Sequence, residues 1–119
     1  MKDCIFCKIA KKELSAEIVY EDDLVIAFPD INPIAPVHIL VIPKEHIESA
    51  NDLTEDEKHE KIAGRLIIAA RKIAQSEKID EKGYKMLIRT GTHGGQEIPH
   101  MHLHLLGGAR LSEGIGPIG

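Results

Sequence analysis

Apolar positions along this chain fall into two rhythms. In residues 52–78, "DLTEDEKHEKIAGRLIIAARKIAQSEK", they recur at helical spacing, with Ile62, Leu66, Ala69, Ala70, Ile73 and Ala74 on one stripe. That stripe predicts the one long helix. Thr54 with Glu57 three positions on fits a capping box, and the acids crowding the first turn suit a helix N-terminus. Elsewhere the rhythm is that of strands. "EIVYEDDLVIAFPDINP" predicts a hairpin over residues 18–20 and 24–28, turning at Asp22-Asp23 and closed by Pro29 and Pro33. "VHILVIP", residues 37–43, is a β-branched run suited to a central strand. "YKMLIRTG", residues 84–91, reads as a further strand and leads into the loop "GTHGGQ". The last strand is "HMHLHLL", residues 100–106. Strand alternation sends Met101, Leu103 and Leu105 towards the helix, and His100, His102 and His104 to the opposite face. No repeat, linker or low-complexity stretch interrupts these elements, so residues 1–119 read as one domain.

Bulk composition narrows the partners. Apolar residues make up 43% of the 119, charged residues 29%, and the formal net charge is −4 with histidine neutral. The chain therefore has the makings of a globular core. No run of lysines or arginines offers the clustered charge that a nucleic-acid polymer requires. With no Trp, two Phe and two Tyr, stacking platforms for single strands are also excluded. A single nucleotide stays open, since one phosphate needs only a few donors. The opening "MKDCIFCKIAKK" has no apolar run suited to a signal peptide or a membrane span, so a cytoplasmic location and no membrane partner are expected.

Three histidines at period two on one face call for a chemical reason. As cations they repel one another, and as buried neutral rings each needs a partner. Metal binding is one reason, although three ligands on one flat strand converge poorly. Nucleophilic or acid–base work is another: imidazole titrates near neutrality, and its neutral form attacks phosphorus without first losing a proton. "CIFC" is a Cys-x-x-Cys pair, and a tetrahedral zinc site would need two further ligands from His, Asp or Glu. His46 and one of the terminal histidines are candidates. Inert buried thiols and a redox pair remain alternatives. The glycines of "THGGQEI" lack nucleotide-loop spacing, yet they lead directly into the histidine strand and could aim backbone N–H groups at a ligand there. His59, among charged helix residues, reads as a solvated surface side chain, and His93 sits in the loop without an assigned role.

"HMHLHLL" resembles the His-φ-His-φ-His-φ-φ signature of the histidine triad (HIT) proteins, φ being apolar. "CIFCKI", "VYEDDLVIAFPDINPIAPVHILVIPKEHI" and "GYKMLIRTGTHGGQE" are similar to segments of their Hint branch, the purine nucleoside phosphoramidases. The resemblance implies an α+β fold: an antiparallel five-stranded sheet with one long helix and a short N-terminal helix, pairing into a ten-stranded sheet in a homodimer. It implies cleavage of phosphoramidate or related bonds at the α-phosphorus of purine nucleoside monophosphates such as AMP conjugates. His102 would be the nucleophile that becomes nucleotidylated, with His104 and His38 supporting the phosphate. Asp30 would hold the ribose, and Phe6, Ile9, Leu14, Phe28, Ile31 and Leu40 would form the base pocket. Gly95 and Gln96 would lie at the phosphate. Cys4, Cys7, His46 and His100 would hold a structural zinc, with no cofactor needed for catalysis. A dinucleoside polyphosphate hydrolase and a low-turnover nucleotide-binding scaffold are the alternative readings.

Two departures touch the implied site. Arg89 stands where the branch usually has an asparagine near the phosphate, and its fixed fork would either grip phosphate or crowd the pocket. Glu97 occupies a small-hydroxyl position associated with the leaving group, where a carboxyl of raised pKa can serve as general acid. Pro99, in place of an aromatic before the triad, is tolerated at a strand's first residue.

Overall fold

A computed structural model describes residues 4–118. Its elements are helix α1 (Ile5–Ala10), strands β1 (Tyr20–Glu21), β2 (Val25–Pro29) and β3 (Val37–Pro43), helix α2 (Glu57–Ser76), and strands β4 (Lys85–Ile88) and β5 (Leu103–Gly107). The strands form one sheet in the order β1-β2-β3-β5-β4, and every neighbouring pair is antiparallel. This is the fold class that the sequence implies.

Period-two alternation divides the sheet into two faces with separate tasks. Val25, Ala27, Ile39, Val41, Leu103 and Leu105 point one way and pack on the α2 stripe. All six stripe residues are buried. The alanines at 69, 70 and 74 carry little bulk, so helix and sheet approach closely around Ile62, Leu66 and Ile73. On the other face Ile26, Phe28, Leu40 and Ile42 pack against Phe6, Cys7 and Ile9 of α1. The histidines emerge on this second face, beside α1.

Several local expectations change. The cap of α2 is Asp56, whose Oδ1 accepts from the His59 amide at 2.8 Å, while the Thr54 hydroxyl donates to Asp56 Oδ2 at 2.7 Å. A carboxylate facing the helix dipole outcompetes a hydroxyl, and Glu57 becomes the first helical residue. His59 is not a solvated surface residue: its side chain is only 12% exposed and its Nε2 lies 3.0 Å from Glu45 Oε2. That contact docks the start of α2 onto the segment after β3. The fourth strand is shorter than residues 84–91, and the histidine strand joins the ladder only at Leu103. Pairing lapses earlier because the Met101 amide donates to the Ile47 carbonyl instead, at 2.6 Å.

Candidate active site

Cross-strand register places the second-face residues relative to one another. Leu40 on β3 and Leu87 on β4 both stand opposite His104 of β5, so all three share a face. His38, two residues before Leu40, and His102, two before His104, share it too. His102 is buried (7% exposed), as is His38 (6%), while His104 is half-buried.

Hydrogen bonds assign the ring protons in sequence. The Ile34 amide donates to His38 Nδ1 at 3.2 Å, so His38 carries its proton on Nε2. His38 Nε2 lies 3.0 Å from His104 Nδ1 and 3.4 Å from Asp30 Oδ2. It donates to His104 Nδ1, which puts the His104 proton on Nε2, while the Asp30 carboxylate stands close by. That Nε2 is buried and has no partner among the described residues. His102 Nδ1 donates to the His100 carbonyl at 2.7 Å, leaving the Nε2 lone pair free. The two ring centroids are 4.9 Å apart. A free lone pair and a free donor thus sit side by side, an arrangement able to attack an electrophile while binding its oxygen.

Electrostatics keeps the supporting rings neutral. Burial, then the neighbouring His102, His38 and Arg89, lowers the pKa of His104 to about 4. Burial also lowers that of His38, with Arg89 adding to the effect and Asp30 opposing it.

A second group lies one residue pair away. Ligand atoms of Cys4, Cys7, His46 and His100 all fall within 4.8 Å of one another. Cys4 Sγ is 3.3 Å from His100 Nδ1. Cys7 Sγ is 3.2 Å from His46 Nδ1 and 3.6 Å from His100 Nδ1. A tetrahedral zinc with ordinary bond lengths separates sulfur and nitrogen ligands by about 3.5 Å. His100 Nε2 donates to the Pro43 carbonyl at 2.8 Å, so its Nδ1 lone pair faces the thiols, as the second shell of a metal ligand requires. The four residues fit a metal ion.

The remaining candidates scatter. Phe6, Ile9, Phe28 and Leu40 are buried together, whereas Leu14 is 41% and Ile31 91% exposed. Asp30 Oδ1 accepts from the Asn32 amide. Gln96 is spent on shape: its Nε2 donates to the carbonyls of Glu48 and Ile98, and its Oε1 accepts from the Gly91 amide. The Gly95 and Gln96 amides donate to carbonyls within the same loop, which removes them as ligand donors. A side chain on Gly94 would collide with the Thr90 carbonyl, so the loop's close turn demands glycine there. Glu97 and His93 are exposed. The partners missed in the sequence are main-chain groups, the Ile34 amide and the Pro43 carbonyl, which no residue type announces.

Sequence and fold both match known proteins. The HIT domain model matches residues 11–111. Purine nucleoside phosphoramidase of Escherichia coli strain K12 is 50% identical over 110 residues, 92% of this chain and 91% of that protein. A HIT family hydrolase from Legionella pneumophila superposes with a TM-score of 0.90 at 44% identity, covering 96% of this chain and 100% of that one. A histidine triad nucleotide-binding protein from Candida albicans gives 0.78 at 29% identity over 93% and 85%. The chain belongs to the HIT domain family. Its similarity to these relatives makes it an enzyme of the hydrolase kind.

Proposed function

We propose that the protein hydrolyses purine nucleoside phosphoramidates, releasing the amine and the nucleoside monophosphate. His102 Nε2 attacks the α-phosphorus, and the P–N bond breaks as the amine leaves with a proton, for which Glu97 is the candidate donor. Water then attacks the nucleotidyl-histidine, frees AMP and restores His102. Through both steps the His104 Nε2–H stabilises the charge that grows on a phosphate oxygen. Asp30 retains lone pairs for ribose hydroxyls, and Phe6, Ile9, Phe28 and Leu40 provide an apolar wall for the base, with Leu14 and Ile31 at its rim. Gly95 and Gln96 shape the neighbouring loop.

The observation carrying this reading is the adjacent lone pair and unpartnered buried donor on His102 and His104. The name of the Escherichia coli relative supports the substrate class. Replacing His102 by alanine is expected to lower AMP release from adenosine phosphoramidate by at least about a thousandfold while AMP still binds. Retained turnover in H102A overturns the assignment.

Zinc at Cys4, Cys7, His46 and His100 is part of the reading, as a structural clamp away from the reacting atoms. So is a homodimer joined through β4. A cytoplasmic location belongs with them; among the described residues, no helix is long and apolar enough to cross a membrane.

A further inference from the structure

The proposed mechanism leaves Arg89, a charged side chain beside the triad, unused. Leu87 pairs with His104 and Ile88 with Leu103, the last pair of that ladder; Arg89 follows directly, and its charge lies near enough to act on His104 and His38. Its guanidinium rests against the tight turn of the loop: Nη1 is 3.5 Å from where a Cβ on Gly95 would stand. Gly95 has φ +83°, a conformation suited to glycine. Among the described residues no carboxylate lies within ion-pair distance of Arg89. A half-buried cation without an acid, beside imidazoles held neutral, is a place for an anion. The same charge disfavours a divalent cation at the nearby Asp30, His38 and His104, whose own ligand atoms cluster within 4.8 Å.

Strand order says which anion. Across the sheet the sequence is β2, β3, β5, β4. Asp30 and the apolar wall lie on the β2–β3 side, the triad on β5, and Arg89 at the end of β4, the outer strand. A nucleotide with its nucleoside over β2–β3 and its phosphorus at His102 directs its leaving group over β4. We infer that Arg89 forms a second anion subsite, and that the preferred substrates carry a negatively charged leaving group, a carboxylate-bearing amine or a further phosphate. This rests on the proposed reading of His102 and Asp30.

The test compares an adenosine phosphoramidate made from an amino acid with its methyl ester. The wild-type full-length protein should prefer the free carboxylate by about tenfold in kcat/KM, the worth of one charge-assisted pair. R89M should bring that ratio to about one, whatever it does to both rates, and R89K should fall between because it keeps the charge and loses the fork. An equal fall of both substrates in R89M overturns the inference, since Arg89 would then serve the α-phosphate alone. An unchanged ratio overturns it as well. Calorimetry with ADP and AMP reads the subsite without chemistry: ADP should bind more tightly than AMP, and R89M should erase the difference. Equal binding in the wild type also counts against the subsite. Failure of the wild type to turn over either phosphoramidate, with the ADP preference intact, would instead remove the proposed reaction and leave the subsite standing.

Discussion

At the scale of single residues, the Ile34 amide decides from a distance which nitrogen of His104 carries a proton. Donation to His38 Nδ1 forces the His38 proton to Nε2, and donation from there forces the His104 proton to the far side of its ring. With its pKa lowered to about 4, chiefly by burial, His104 stays neutral far below the ordinary histidine range. The folded state therefore binds fewer protons than the unfolded state between about pH 6.5 and 4. Stability from this ring is fully present above about 6.5 and is lost as pH falls towards 4. Nitrogen-15 spectra should show His104 as the Nε2–H tautomer, unprotonated at pH 5.5. An imidazolium signature at that pH would break the chain of assignments. Period two alone makes the shared face of the three histidines legible in the sequence. Their tautomers are not legible, because they are set by the Ile34 amide and the Pro43 and His100 carbonyls, and every residue has such groups.

Secondary-structure elements follow the sequence wherever burial enforces a pattern. The stripe of α2 and the alternation of β2, β3 and β5 are read correctly because a misplaced residue would put polar groups into the core. Ends are read less well. Asp56 displaces Thr54 as the cap through a two-residue competition between carboxylate and hydroxyl, which spacing does not resolve. β4 is the outermost strand, opposite β1, and its shortness reflects a ladder paired on one side only. Its Met86 and Ile88 lie on the α2 side of the sheet, 38% and 39% exposed, while α2 itself exposes Ile67 and Ile68. Unpaired edge groups beside exposed apolar residues suit strand pairing with a second copy. At micromolar concentration the protein should sediment at twice its 13.2 kDa chain mass. M86E/I88E should weaken that association by about a hundredfold or more, since each charge would be desolvated at the junction. A wild-type monomer under those conditions rules the pairing out.

On the scale of the whole molecule, α1 has little of its own to hold it: six residues are too few for a helix to persist unaided. Its attachment is the catalytic face. Phe6 meets Phe28, His100 and His102 edge-on, with centroids 5.5, 5.7 and 5.1 Å away. The Cys4 and Cys7 thiols meet His46, which follows β3, and His100, which precedes β5. A metal held by these four would fasten three distant stretches of chain at one point. It would also fix the His100 carbonyl that accepts from His102 Nδ1. Protein purified without chelator should contain about one zinc per chain. A thousandfold excess of ligand over its dissociation constant stabilises by about 4 kcal/mol, which for a domain of this size raises the melting temperature by roughly 15 °C. A strong chelator should therefore lower the melting temperature by that amount in the wild type and by almost nothing in C4S, which should melt near the stripped protein. Equal metal content in C4S and the wild type would mean that the cysteines are packing residues, with α1 held by Phe6 and its neighbours.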